Sequence, residues 1–334
     1  MPERTIGTWN AMIDCHVYQD CCQEALDLYE CMQSSGIIPN EATLVSVLSA
    51  CSQSGNMVMG KRIHDDIVQN IANPSLTLLN STVDMYAKCG HLDIAHSLFR
   101  LMKVKNSVSW NVVIAASAVH GNAWDAVELF RSMVGQGFLV DSITFIGLLS
   151  ACNHGGLLDV GQHYFEAMDD VYNVAKEIEH YACMVDLFGR KGYLCRAIEL
   201  LRCMPMKPDA VIWGALLGAC RIQGDVRMGL HVMKQVLELE YYRSGLYVLM
   251  SNLFCEAQSW EDVRKLRKVM NVGRIRKTEG RSMIEIGGNI HEFLVGDLRQ
   301  EGSSAIYLLL HELTDHVMAL SFSSSSGLLL HTEE

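Results

Sequence analysis

Between Ser107 and Asp141, apolar residues fall at Trp110, Val113, Ile114 and Ala118, and the small Ser117 completes the stripe. The spacing is i, i+3, i+4, i+7, i+8, one face of a helix. His120-Gly121-Asn122 breaks the pattern. A second stripe follows at Ala126, Leu129, Phe130 and Met133 and stops at Gly135 and Gly137. The pattern predicts two short helices joined by a tight turn, a helical hairpin. One hairpin alone cannot bury both stripes, so it must stack on further copies.

The copies are present. Glycine recurs in mid-hairpin at Gly55, Gly90, Gly121, Gly156, Gly192 and Gly224, at intervals of 35, 31, 35, 36 and 32 residues. A phase set at Ser107 opens further units at Ile6, Glu41, Leu76, Ser142, Ile178, Ala210 and Ser244, and each glycine falls at position 15 of its unit. A turn between helices favours positive φ, which glycine adopts without steric cost. Asp20 and Gln258 hold that place in the first and last units, so the ladder is predicted to weaken at both ends. The predicted fold is all-α, a right-handed α-solenoid of stacked helix-turn-helix repeats. Its units are 6–40, 41–75, 76–106, 107–141, 142–177 and 178–209, followed by segments 210–243 and 244–277. Residues 1–5 read as the end of a preceding unit. Residues 278–334 stand outside the phase and contain SFSSSSG at Ser321–Gly327, expected to be a flexible tail.

At 334 residues the chain exceeds one ordinary core, but a solenoid escapes that limit because each repeat contacts only its neighbours. An apolar content of 49% with 19% charged residues excludes a disordered chain. No apolar run reaches the ~18 residues of a membrane span. The opening MPERTIGTWN has neither a secretory apolar core nor an Arg/Ser-rich targeting arm.

The formal charge of −11 argues against non-specific binding to phosphate backbones. One region departs from it. Arg264, Lys265, Arg267, Lys268, Arg274, Arg276, Lys277 and Arg281 stand against only Glu261, Asp262 and Glu279, a local balance of +5. The first seven are candidates for a basic contact with nucleic acid or a partner; a solvated helix face is the alternative. None of the twelve cysteines stand three apart, so the structural zinc spacings fail. Cys51, Cys152, Cys183 and Cys220 fall within helical stripes and read as packing thiols in a reducing compartment. His331-Thr332-Glu333 spells the His-x-Glu of a zinc deaminase, but no Pro-Cys-x-x-Cys follows. No metal, cofactor or catalytic residue is expected, and the chain is read as not itself an enzyme.

The openings TWNAMI and SWNVVI, EATLVSVLSAC and SITFIGLLSAC, and NSTVDMYAKCG recur in the order long, long, short. In this the chain resembles the plant pentatricopeptide repeat family, in its PLS subclass. AVIWGALLGACRIQGDVRMG (210–229) looks like the family's E1 motif, and GLYVLMSNLFCEAQSWEDVRKLRKVM (245–270) like its E2 motif. TEGRSMIEIGGNIHEFLVGD (278–297) resembles the start of the family's deaminase-like region. It departs from that pattern, because Glu279-Gly280-Arg281-Ser282-Met283 stands where Pro-Gly-Cys-Ser-Trp is usual. The resemblance covers about residues 1–300.

The resemblance implies a sequence-specific binder of single-stranded organellar RNA, in mitochondrion or chloroplast with the former slightly favoured. It implies a site-recognition factor for C-to-U editing that recruits a DYW-type deaminase in trans, along with other editing-complex proteins. It also implies that position 5 and the last position of each unit read one base: Asn10 with Asn40, Asn80 with Asn106, and Asn111 with Asp141. By the family's usual code, Asn with Asp favours U, and Asn with Asn favours C, then U.

The residues themselves are compatible with base reading, since an amide both donates and accepts. Asn also caps helix N-termini, which is the alternative for the position-5 asparagines. Val45, Ile146 and Ala182 hold position 5 elsewhere and cannot hydrogen-bond a base. The implied order from the N-terminus is therefore C/U, unread, C/U, U. Each contact discriminates by ~1–3 kcal/mol. Three bases do not specify one transcript site, so upstream repeats or a partner must supply the rest. The alternatives are a role in organellar RNA splicing or stability, a tetratricopeptide-like scaffold, and a truncated degenerate paralogue. The scaffold would need a 34-residue period with a W-x2-L-G-x2-Y signature.

Overall fold

The structure, a computed structural model, describes residues 5–238, 244–273, 275, 280–286, 289–294 and 302–327. The chain divides into two units, Met1–Lys277 and Thr278–Glu334. In the first unit, helices alternate with short turns. The leading helices of successive hairpins are α1 (Ile6–Tyr18), α3 (Glu41–Ser54), α5 (Leu76–Lys88), α7 (Ser107–Val119), α9 (Ser142–Gly155), α11 (Ile178–Arg190), α13 (Ala210–Gln223) and α15 (Ser244–Glu256). The returning helices are α2 (Cys22–Ser34), α4 (Met57–Asn70), α6 (Leu92–Leu101), α8 (Ala123–Gly135), α10 (Leu158–Asp170), α12 (Leu194–Cys203), α14 (Val226–Glu238) and α16 (Trp260–Val272). Each leading helix packs beside the next, α1 on α3, α3 on α5 and so on to α13 on α15, and each returning helix packs on its own hairpin partner.

The leading helices start where polar caps stand. Thr5, Asn40, Ser75, Asn106, Asp141 and Asp209 each accept a hydrogen bond from a backbone N–H in the first turn that follows. This satisfies donors that the helix itself leaves open. At the far end, all eight residues at position 15 have positive φ. The six glycines lie between 63° and 91°, and Asp20 at 60° and Gln258 at 55° adopt the same left-handed turn. The turn is thus kept at both ends of the array, where the sequence predicted it to weaken. Asp tolerates this region by hydrogen-bonding locally; for Gln258 the hairpin packing imposes it.

Side chains from successive hairpins tie the array together at that end. His120 Nε2–H donates to Ala87 O (2.7 Å), His154 Nδ1–H to Ala118 O (2.9 Å), and Gln223 Nε2–H to Gly189 O (3.4 Å). Each recipient is a carbonyl near the C-terminus of the preceding leading helix, where intrahelical partners run out. Between the helix layers the predicted stripes form one continuous core. Trp110, Val113, Ile114, Ala118, Ala126, Phe130 and Met133 are all buried. Ser117 is also buried, its hydroxyl donating to Val113 O at 2.9 Å. Phe130 sits edge-on to Phe145, Tyr164 and Tyr172 at centroid distances of 5.0–5.6 Å, joining three neighbouring helices and the loop after α10.

The short units owe their length to the returning helix. α6 and α12 have 10 residues, whereas α2, α8 and α10 have 13. The twelve cysteines form no disulfides with one another. Cys51, Cys152 and Cys220 are fully buried, and burial pushes the Cys152 and Cys220 thiols up to about 12. Half-buried Cys183 is pushed up to about 11 by burial and by nearby Asp186.

The second unit departs from the all-α pattern. β1 (Arg281–Ile286) and β2 (Asn289–Leu294) form an antiparallel two-stranded ladder, with Arg281 opposite Leu294 and Ile286 opposite Asn289. α17 (Ser303–Gly327) follows, and Tyr307 Oη–H donates to Leu294 O. α17 includes Ser321–Gly327, where a flexible tail was predicted. The Leu-rich first half seeds the helix, and extension adds one hydrogen bond per residue even through serines of middling propensity. His331-Thr332-Glu333 lies outside the described residues.

Candidate nucleic-acid interface

Because leading helices run side by side, their N-terminal ends share one edge of the array. Position 5 of a unit lies one turn into its leading helix. The last position of the same unit is the N-cap of the next leading helix. Lateral packing brings these two residues together although 26 or 30 residues separate them.

Asn111 Nδ2–H donates to Asp141 Oδ1 at 3.1 Å, Asn10 Nδ2–H to Asn40 Oδ1 at 3.2 Å, and Asn80 Nδ2–H to Asn106 Oδ1 at 3.5 Å. The direction of each bond is fixed by the cap. Asn40 Oδ1, Asn106 Oδ1 and Asp141 Oδ1 already accept from the backbone N–H of Thr43, Ser109 and Thr144, so only an acceptor can sit there. The position-5 asparagines are therefore not caps, as the alternative had it. They lie inside α1, α5 and α7, and their partners are the caps.

A third side chain completes each junction. Thr43, Ser109 and Thr144 are buried, and their hydroxyls accept from the backbone N–H of the cap residue at 3.1–3.2 Å. The Thr43 and Thr144 hydroxyls also reach the Oδ1 atoms of Asn10 and Asn111, at 2.6 and 2.7 Å. Asn10 and Asn111 are thus held by both ends of their amides.

What remains uncommitted differs between junctions. Among the described residues, Asp141 Oδ2 has no hydrogen-bond partner, and neither has Nδ2 of Asn40 or Asn106. Burial pushes the Asp141 carboxyl up. The hydrogen bonds from the Thr144 backbone and hydroxyl and from Asn111 outweigh it and hold the group below the ordinary aspartate value. The Asn111–Asp141 junction presents an ionised acceptor, and the Asn10–Asn40 and Asn80–Asn106 junctions present an amide donor. At the other junctions Val45, Ile146 and Ala182 are half-buried and offer no polar atom.

Two residues that the polar pattern did not single out flank the Asp141 junction. Val108 and Ile143, each second in its helix, are 52% and 63% exposed. Val108 is three residues before Asn111, on the same helix face. A bulky apolar residue off the buried stripe was the sequence signal for both.

The basic candidates lie elsewhere. Arg264, Lys265, Arg267 and Lys268 are exposed on α16, in the last hairpin of the first unit. Lys265 pairs with Glu261 at 2.8 Å; Arg264, Arg267 and Lys268 have no ion-pair partner among the described residues. Helical spacing puts exposed Trp260 on the same face as Arg264 and Arg267. Arg274, Arg276 and Lys277 lie outside the described residues. Among the described residues no three His, Cys, Asp or Glu side chains cluster as a metal site would require, and no helix is long and apolar enough to cross a membrane.

A stack of helical hairpins with one polar pair at each of three junctions defines a modular recognition solenoid. Family models place it further. A PPR repeat family model matches residues 4–53, a PPR repeat model matches 78–107 and 108–138, and an E motif model matches 223–285. The chain belongs to the pentatricopeptide repeat family, with the alternating repeats and E motif of its PLS subclass. Pentatricopeptide repeat-containing protein At4g14820 of Arabidopsis thaliana is 41% identical over 93% of this chain and 43% of its own length. Pentatricopeptide repeat-containing protein At2g22410, mitochondrial, from the same plant, is 42% identical over 88% of this chain and 43% of its own. Protein At1g08070, chloroplastic, is 39% identical over 94% and 42%. The chain spans about half the length of the curated relatives it matches. In fold it is similar to the pentatricopeptide repeat protein PPR10, solved in complex with an 18-nt psaJ RNA element. The TM-score is 0.65 at 17% identity, over 83% of this chain and 41% of that one.

Proposed function

We propose that the chain binds single-stranded RNA in an organelle and contributes the site recognition for C-to-U editing, with the deaminase supplied by another chain. The observation that carries the RNA reading is the chemistry left free at the three junctions. Uracil offers an N3–H donor on its Watson–Crick edge, and Asp141 Oδ2 is an ionised acceptor. Cytosine offers an N3 acceptor in the same place, and Asn40 and Asn106 keep a free amide donor. Single-stranded RNA exposes these edges to a protein. Val108 and Ile143 add apolar surface for a base face beside the Asp141 junction. The chain then reads C or U at Asn10–Asn40 and Asn80–Asn106, and U at Asn111–Asp141.

The E motif match over 223–285 supports editing, and relatives named as mitochondrial and as chloroplastic support an organelle. In this reading the chain itself carries no catalytic residue.

Asp141→Asn tests the base-reading chemistry because it turns the free acceptor into a free donor and leaves the cap intact. Equilibrium binding to RNAs that differ only at the base opposite this junction should move from U toward C, by the ~1–3 kcal/mol of one good base contact. An unchanged preference for U, or no RNA binding by the parent chain, would sink the proposal.

A further inference from the structure

Two cavities on the returning-helix side occupy equivalent places in the repeat. One, of about 290 Å³, opens between α6 and α8 and is lined by Phe99, Arg100, Trp110, Leu129 and Ser132 among others. The other, of about 300 Å³, opens between α12 and α14 and is lined by Leu201, Arg202, Trp213, Val232 and Gln235 among others. Phe99 and Leu201 are position 24 of their short units, and Arg100 and Arg202 are position 25. Trp110 and Trp213 are position 4 of the units that follow; Leu129 and Val232 are position 23, and Ser132 and Gln235 position 26.

The recurrence has a structural cause. α6 and α12 stop after 10 residues, while α8 and α14 run for 13, and the mismatch leaves a hollow with Trp110 or Trp213 in its lining. Trp110 is buried and its indole N–H has no hydrogen-bond partner among the described residues.

The rim is cationic in an acidic chain. Arg100 and Arg202 are exposed and have no ion-pair partner among the described residues. An adjoining cavity of about 470 Å³ shares Arg202 and His231 and adds Arg227 against a single carboxylate, Glu199. A volume of this size takes one or two apolar side chains, and an unpaired guanidinium is a fork for a carboxylate.

We propose that each junction from a short unit to the next carries a docking site for an acidic peptide segment of a partner protein. An apolar side chain of the segment enters the cavity over Trp110 or Trp213, and a neighbouring carboxylate pairs with Arg100 or Arg202. Arg100, Arg202, Ser132 and Gln235 stand on returning helices, and Trp110 and Trp213, though on leading helices, are not among the base-reading residues, so the proposal does not rest on the RNA reading.

The test uses the full chain and a short fluorescein-labelled peptide of alternating Glu and Leu, followed by anisotropy at low ionic strength. Two equivalent sites per chain are expected. Arg100→Ala and Arg202→Ala should each remove one. The double variant should weaken binding by about tenfold or more, as loss of a bidentate arginine–carboxylate contact implies. Replacing every Glu of the peptide by Gln should do the same. Ser132→Trp and Gln235→Trp fill the cavities from the rim and should displace the peptide without removing a charge. RNA affinity, measured on the same variants, should stay unchanged, so that failure of either proposal is seen separately. Peptide binding that survives in the double arginine variant, equal binding of the Gln peptide, absence of binding to the parent chain, or competition by single-stranded RNA would each overturn the proposal.

Discussion

At the scale of single residues, backbone conformation and burial give the clearest consequences. Gly121 has φ 76°, and a Cβ there meets nothing within 4 Å. Gly121→Ala should therefore destabilise by the backbone cost alone, about 1–2 kcal/mol. Gln258 occupies the same turn with φ 55°. Gln258→Gly should stabilise by up to about 1 kcal/mol, less the extra freedom glycine has in the unfolded chain. Urea denaturation of both variants checks the pair, and a loss of stability in Gln258→Gly would contradict the strain. The thiols make a pH prediction. Cys152 and Cys220 are raised from 9.0 to about 12 by burial, so the native state keeps their protons where the unfolded state has lost them. That contribution is fully present below about pH 9 and is lost as pH rises toward 12. The denaturation midpoint should fall as pH rises from about 9 toward 12, and less so in Cys152→Ala/Cys220→Ala than in the parent.

At the scale of elements, the junction of two leading helices behaves as one unit. Thr144 caps back to Asp141 and reaches Asn111 with the same hydroxyl. Thr144→Val keeps the volume but leaves the Asp141 N–H and the Asn111 carbonyl without that partner. The expected cost is about 1–3 kcal/mol. The variant should also discriminate less between U and C at this junction, because the Asn111 amide is no longer held at both ends. Denaturation and paired RNA titrations separate the two effects. A stability loss with unchanged discrimination would mean that the helix cap, and not Asn111, depends on the hydroxyl. The helix starts were legible at this scale. Thr5, Asn40, Ser75, Asn106, Asp141 and Asp209 stand immediately before apolar stripes, and each caps the helix that follows. Capping was the alternative for Asn10, Asn80 and Asn111, and it fails because they lie inside α1, α5 and α7. A cap and a residue one turn further in share the same short polar chemistry, and only the position of the first helical residue tells them apart.

At the scale of the whole molecule, charge limits how the array can hold RNA. With a net charge of −11, phosphate contacts must come from local exceptions such as the α16 face of Arg264, Arg267 and Lys268. If these three contact phosphates, Arg264→Ala/Arg267→Ala/Lys268→Ala should reduce the slope of log affinity against log salt by about 2, since each released counterion contributes ~0.7 on single strands. An unchanged slope marks the cluster as a solvated helix face. Stability, in turn, is expected to be a sum over neighbouring hairpins, because each packs only on the next.

The sequence by itself determined the paired helices of the first unit, their phase and the hairpin repeat. These depend on interactions within a few residues along the chain or on a periodicity of 3.6, and both are written locally. It also marked Asn10, Asn80 and Asn111 by their recurrence at position 5, while Asn40, Asn106 and Asp141 came only from the family resemblance. Only the tertiary structure decided that Asn111 and Asp141, 30 residues apart, share a hydrogen bond, that one atom of each pair remains free, and that the short returning helices leave equivalent cavities over Trp110 and Trp213. Those facts follow from how one hairpin lies against the next. Lateral packing sets the distance between side chains on different hairpins, and no local pattern along the chain encodes that distance.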